Sequence, residues 1–148
     1  MRRILADPAF AGPTVEQYCG DLQMHSEWSD GSPTVQEIAD ACVERGYQYA
    51  AVSGLRIAGG TSMAEAAAQR LAIEGVNARY GGRLRLLQGI EANIDATGHL
   101  DLTDDEATSF DVVLAAPRSK RRTNDDQTDL MLAALQHSAV RILSLIHI

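Results

Sequence analysis

The chain has 148 residues, of which 45% are hydrophobic and 22% are charged, and its formal net charge is -7 at pH 7. These values are typical of one globular domain with its own core. The acidic excess argues against a protein that coats nucleic acid, because phosphate contacts require lysine and arginine. It leaves open a small phosphorylated substrate, or DNA bound through a neighbouring domain.

The two cysteines, Cys19 and Cys42, do not have the spacing of a metal-binding motif. Without a disulfide framework, a reducing, cytoplasmic location is the default expectation. No apolar stretch reaches the roughly 20 residues of a membrane span. No apolar run follows residues 1–3 to form a secretory signal. The sequence therefore predicts no membrane partner.

Residues 1–19 show no sustained hydrophobic period. We expect them to form a leader, or the end of a preceding segment, with one helical turn at residues 15–18. The folded domain is then expected to occupy residues 20–148.

Hydrophobic periodicity and capping patterns predict strands and helices in alternation after residue 20. Strands are expected at residues 21–25, 47–53, 83–94, 99–102, 111–116 and 139–148. Helices are expected to follow N-caps at Thr34, Ser62, Thr103 and either Asn124 or Asp125. Residues 54–60 are interpreted as a plain glycine-bearing loop, since no phosphate-binding motif follows them. This order favours an α/β fold with mainly parallel strands.

The end of the first strand carries the most informative side chains. Strict alternation places Gln23 and His25 on one face of the strand and Leu22 and Met24 on the other. Asp30 follows in a turn, so His25 and Asp30 are expected at the carboxyl edge of the sheet, where α/β folds build their sites. An imidazole and a carboxylate suit zinc or manganese. The alternative is a strand-end histidine and a turn aspartate with no metal.

Residues 20–31, Gly-Asp-Leu-Gln-Met-His-Ser-Glu-Trp-Ser-Asp-Gly, resemble the first motif of the PHP (polymerase and histidinol phosphatase) domain. That motif is typically Asp-Leu-His-x-His-Ser/Thr-x-x-Ser-Asp-Gly. This form of the motif is found in PHP domains of family X DNA polymerases and in related stand-alone PHP proteins. Residues 89–94 resemble a second family segment, Gly-x-Glu-x-Asn/Asp-Ile, and the likeness extends to about residue 143.

The resemblance implies a distorted, TIM-like βα barrel with a multinuclear metal site at the carboxyl ends of its strands. The chain would form part of that barrel. By the same resemblance His25, Asp30 and Glu91 are metal ligands, and Gln23 is a weak one because it replaces the first histidine of the motif. The implied cofactors are zinc or manganese ions. The implied reaction is hydrolysis of a phosphoester in a small phosphorylated molecule or at the 3′ end of DNA.

Several family positions differ in this chain. The family's Asp-His pair is absent after Ser53, and Arg118, which has no lone pair to give a metal, stands at a histidine position. Residues 144–145 stand where Gly-His-Pro is expected, and a final Asp-x-His is missing. The series of strands is therefore expected to be cut short, with too few ligands for a multinuclear site.

Two functional hypotheses follow. The first is a metal-dependent phosphoesterase, either a phosphatase or a polymerase-associated 3′–5′ exonuclease in a longer parent protein, with impaired activity in this chain. The second is a non-catalytic, degenerate or truncated module that acts as a structural or binding domain. A phosphoacceptor receiver is a weaker third interpretation, supported by the loose order of strands and helices alone.

Overall fold

A five-stranded sheet is the centre of the structure, a computed structural model that describes residues 14–56, 61–117, 126 and 128–144. The strands are β1 (Gly20–Met24), β2 (Tyr49–Arg56), β3 (Arg85–Asn93), β4 (Val112–Ala116) and β5 (Val140–Leu143). The helices are α1 (Val35–Glu44), α2 (Met63–Tyr80), α3 (Asp104–Ala107) and α4 (Thr128–Gln136). A single 3₁₀ turn, Val15–Gln17, precedes β1.

The strand order identifies the sheet as part of a barrel. Every strand is parallel to the next one along the chain, and the order is β1-β2-β3-β4-β5 without a reversal. An open doubly wound sheet would reverse its order at a switch point. The sheet also curls, since the amide of Gln23 in β1 reaches the hydroxyl of Ser144, just after β5, at 2.8 Å. The predicted α/β partial barrel with parallel strands is confirmed.

Three helices begin at the predicted N-caps, each with a capping box in which the cap and the third helical residue bond each other's backbone. The pairs are Thr34 with Glu37, Ser62 with Glu65, and Thr103 with Glu106. The caps predicted at residues 124 and 125 lie outside the described residues. No helix within the described ranges is long and apolar enough to cross a membrane.

Two strand predictions need correction. Residues 54–56 belong to β2 and not to a loop, because their backbone pairs with β3 as far as Ala92, which lies opposite Arg56. The predicted strand at residues 99–102 is reduced to one antiparallel bridge between Ile94 and Leu100. Residues 57–60 lie outside the described part of the chain, as does most of the leader expected at residues 1–19.

Apolar side chains fix the helices to the outer face of the sheet in two clusters. The cluster between α1, α2 and the first three strands includes Ile38, Cys42, Val52, Ile73 and Leu86. The cluster beneath α4 includes Ile90, Ile94, Val113, Leu130 and Val140. The inner face carries a smaller group, here called the inner cluster: Ala51, Val112 and Leu114, with Leu22, Leu87 and Ile142 against it. The inner face is therefore less apolar than the outer face beneath the helices.

Helix α2 runs without interruption through Gly75. Gly75 is exposed, and a Cβ added to it would meet nothing within 4 Å. At the end of the helix, Gly81 adopts a left-handed conformation with φ 55°, which costs other residues energy.

Gly75→Ala is expected to raise the free energy of unfolding by about 1 kcal/mol, because alanine restricts the unfolded chain and strains nothing in the helix. Urea denaturation measures the change. The matched control, Gly81→Ala, should lower the free energy of unfolding. A Gly75→Ala chain that is less stable than wild type would contradict the continuous helix.

Candidate functional site

A β-bulge in β1 turns Gln23 into the barrel. Between Asp21 and Met24 the register advances three residues on β1 but only two on β2, so β1 holds one extra residue. Leu22 packs on the inner cluster and Met24 on an outer cluster, while Gln23 bonds Glu91 inside the barrel. The expectation that Leu22 and Met24 share a face is therefore wrong, because strict alternation assumes a regular strand.

Glu91 is the buried acid of the site. It lies on β3 with no solvent exposure, between Leu55 of β2 and Leu114 of β4 in register. Its Oε2 accepts a hydrogen bond from Nε2 of Gln23 at 3.1 Å and lies 3.3 Å from Nε2 of His25. An ionised carboxylate removed from water is costly unless polar or charged partners replace the water. Gln23 and His25 are two such partners.

His25 follows β1 directly and lies between two carboxylates. Its Nδ1 is 2.5 Å from Oδ1 of Asp30, whose side chain is 58% exposed. Its Nε2 faces Glu91, but the approach does not have the geometry of a hydrogen bond, and this nitrogen is buried without one. The pKa of His25 is raised, chiefly by Glu91 and further by Asp30, against the opposing effect of burial.

The turn that carries Asp30 packs tightly under His25. A Cβ on Gly31 would lie 2.4 Å from the backbone carbonyl of His25, so only glycine fits there. At the other end of the segment, Oδ1 of Asp21 accepts a hydrogen bond from the backbone N–H of Gln23 at 2.9 Å. Asp21 therefore orients the backbone of its own strand, and the close approach to His25 explains the glycine that ends the turn.

The two strongest donors are spaced as ligands of one cation. Zinc bonds of about 2.0–2.1 Å in a tetrahedral site place two ligand atoms about 3.3 Å apart, and the measured separation of His25 Nε2 and Glu91 Oε2 is 3.3 Å. Nε2 is also the buried ring nitrogen that lacks a hydrogen bond. The distance suits two ligands of one cation, and it equally suits an ion pair when His25 is protonated.

Asp30 and Gln23 approach this His25–Glu91 pair from other positions. Asp30 lies at the opposite ring nitrogen of His25, where carboxylates usually orient metal-binding histidines. Gln23 turns its N–H₂ group toward Glu91, and an amide nitrogen has no lone pair to offer a metal. Within the described ranges, no group of three or more His, Cys, Asp or Glu side chains is arranged to hold a metal ion.

Sequence reasoning missed one member of the site. Ser144 is buried, and its hydroxyl accepts a hydrogen bond from Nε2 of Gln23 at 2.8 Å. The sequence order offered a signal, because the residue after a fifth parallel strand must lie at the same edge as the residues after β1. Arg118, which stands at a family histidine position, lies outside the described residues.

The other two described histidines make contacts elsewhere. His99 lies in the turn after β3 and pairs through Nδ1 with the hydroxyl of Thr97 at 2.7 Å. His137 follows α4, and its Nε2 lies 3.2 Å from Oδ1 of Asp104. Both line a surface cavity of about 390 Å³ between the turn and α4, and neither contacts Glu91 or His25 in the described structure.

In metal-free protein, His25 is predicted to hold its proton to a pH above its ordinary pKa of about 6.5. Because the folded pKa is raised, the stabilisation from the charged ring is complete below pH 6.5 and is lost as the pH rises through the raised pKa. An NMR titration of the ring in the presence of a chelator measures this. Glu91→Gln should lower the pKa, and the exposed control Glu74→Gln should leave it unchanged. A wild-type pKa at or below the ordinary value would contradict the described geometry.

Comparison with known proteins gives one informative relationship. No protein-family model matches the chain. The DNA polymerase/3'-5' exonuclease PolX of Bacillus subtilis (strain 168) is 38% identical over 107 residues, which cover 70% of this chain and 19% of PolX. The chain thus spans about a fifth of the length of that relative. It is related to one region of a DNA polymerase with 3′–5′ exonuclease activity.

Proposed function

We propose that the chain is part of a PHP-like domain whose site binds one zinc or manganese ion and descends from metal-dependent phosphoesterases. The observation that carries the proposal is the 3.3 Å separation of His25 Nε2 and the fully buried Glu91 at the carboxyl edge of the sheet. The motif likeness at residues 20–31 and 89–94 and the relationship to PolX support it.

In this proposal His25 and Glu91 hold the cation. Asp30 accepts a hydrogen bond from Nδ1 of His25, which leaves Nε2 as the nitrogen that binds metal and increases its basicity. A bound divalent cation supplies Lewis acidity and a water of lowered pKa, the chemistry needed to attack a phosphoester. The buried position of Glu91 keeps bulk water away from the carboxylate, so its charge is screened less and attracts a cation more strongly.

The proposed substrate is a phosphoester. The name of the relative suggests the 3′ end of DNA, with a polymerase domain elsewhere in a longer parent protein. A small phosphorylated molecule is the other substrate class. The net charge of -7 disfavours a long duplex held by this chain alone, so a DNA end would be delivered by a neighbouring domain.

A non-catalytic module is the second candidate, and a specific observation favours it. Gln23 stands at a position where the motif likeness expects a histidine, and it directs N–H groups at Glu91 instead of a lone pair. A site with two strong protein ligands binds a cation more weakly than a site with three or four. In this alternative the chain keeps the fold and a residual cation site, which serve structure or binding.

Elemental analysis of the chain, after dialysis against zinc or manganese and then against buffer, tests cation binding. The wild type is expected to retain a stoichiometric amount of metal. His25→Ala and Glu91→Gln are expected to lose it, because each removes one of the two strong ligands. His99→Ala, a change at an exposed histidine outside the site, should retain the metal. A wild type without metal would contradict the proposed function.

Hydrolysis assays on the metal-loaded chain then separate the two candidates. The probes are a 3′-labelled single-stranded oligonucleotide and p-nitrophenyl phosphate. Turnover that is lost in His25→Ala supports the phosphoesterase. Stoichiometric metal without turnover of either probe supports the non-catalytic module and contradicts catalysis by this chain.

A further inference from the structure

The side chain of Gln23 links β1 to β3 and to the residue that follows β5 through one nitrogen. Nε2 donates one hydrogen bond to Oε2 of Glu91 at 3.1 Å and one to Oγ of Ser144 at 2.8 Å. A primary amide has two N–H bonds, and each has a partner here. The amide is therefore fixed with its nitrogen toward Glu91, and direct ligation through its carbonyl oxygen would require both bonds to break.

Ser144 is an anchored acceptor for this amide. Its side chain is 2% exposed, and its backbone N–H donates to the carbonyl of Ala115 at 2.8 Å, which ties it to β4. The hydroxyl thus has a defined position on the inner face. It accepts the second N–H of Gln23. A hydroxyl can pair with either end of an amide, whereas an ionised carboxylate only accepts hydrogen bonds, so Glu91 determines that the nitrogen of Gln23 is directed into the barrel.

The bond from Gln23 falls on the oxygen of Glu91 that faces His25. Oε2 both accepts from Gln23 at 3.1 Å and lies 3.3 Å from Nε2 of His25. A hydrogen bond at that oxygen restrains the terminal torsion of the glutamate. A carboxylate oxygen has lone pairs for one N–H and one cation together, so the restraint does not block metal binding.

We propose that Gln23 is a positioning residue and not a ligand. This proposal rests on the cation site of the proposed function. It holds Oε2 of Glu91 where that oxygen and His25 bind one cation together, and Ser144 holds Gln23. Hydrogen-bond partners of ligating carboxylates typically contribute about 10–100-fold to metal affinity. The chain therefore replaces a ligand at this position with a hydrogen-bond donor.

Cobalt(II) binding tests the proposal, because visible absorption reports both affinity and the ligand set. Gln23→Leu is expected to weaken cobalt binding by about 10–100-fold while the absorption bands of the saturated protein stay where they are in wild type. Gln48→Leu makes the same change at an exposed glutamine and should alter neither. Shifted bands in saturated Gln23→Leu would make Gln23 a ligand and overturn the proposal.

The single variant Ser144→Ala tests the role of Ser144 without a change at Gln23, and a double-mutant cycle then tests whether the two residues act together. Ser144→Ala removes one hydroxyl and should weaken cobalt binding, although Ser144 touches neither His25 nor Glu91 in the contacts described. The double variant should bind no more weakly than Gln23→Leu, since both changes break one chain of bonds. Ser138→Ala, at an exposed serine, is the control.

The outcomes separate this inference from the function on which it rests. A wild type that binds no cobalt overturns both. A wild type that binds cobalt, with Gln23→Leu or Ser144→Ala of equal affinity, overturns the positioning role alone and leaves the cation site standing.

Discussion

The fully buried carboxylate of Glu91 is the constraint on which the site depends. An ionised carboxylate without water costs several kcal/mol unless the protein supplies compensating partners. Here β1 and the residue after it supply two: Gln23 donates to Oε2 at 3.1 Å, and His25 lies 3.3 Å from the same oxygen. The same proximity raises the pKa of His25. The carboxylate of Glu91 therefore requires compensating neighbours. These are a hydrogen-bond donor together with a protonated His25, or a bound cation.

Strand order and one irregularity bring these groups together. Five parallel strands in chain order bring their carboxyl ends to one edge, and the curl of the sheet brings β1 within reach of Ser144 after β5. A regular β1 with Leu22 on the inner face would point Gln23 outward. The extra residue in β1 turns both side chains inward. Bulges often redirect a side chain beside a functional site, and this one directs the side chain of Gln23 toward Glu91.

Features set by neighbours in sequence could be predicted, and features set by strand pairing could not. The capping boxes at Thr34 and Ser62 involve residues three apart in sequence, so the starts of these helices can be predicted from the sequence. The placement of His25 beside Glu91 agrees with the motif likeness, although their role as ligands stays a prediction. The bulge in β1 and the length of β2 depend on register with a partner strand. The bond from Gln23 to Ser144 joins residues 121 apart, and no local pattern encodes it.

The position of a bound cation in crystals of the chain would test the proposed site of His25 and Glu91 most directly. Anomalous diffraction at the zinc or manganese absorption edge locates the ion without reference to activity. We expect one peak within about 2.0–2.2 Å of both Nε2 of His25 and Oε2 of Glu91, with Gln23 outside bonding distance of the ion. No peak in that space, or a peak bound through Asp30 with Glu91 uninvolved, would contradict the proposed site.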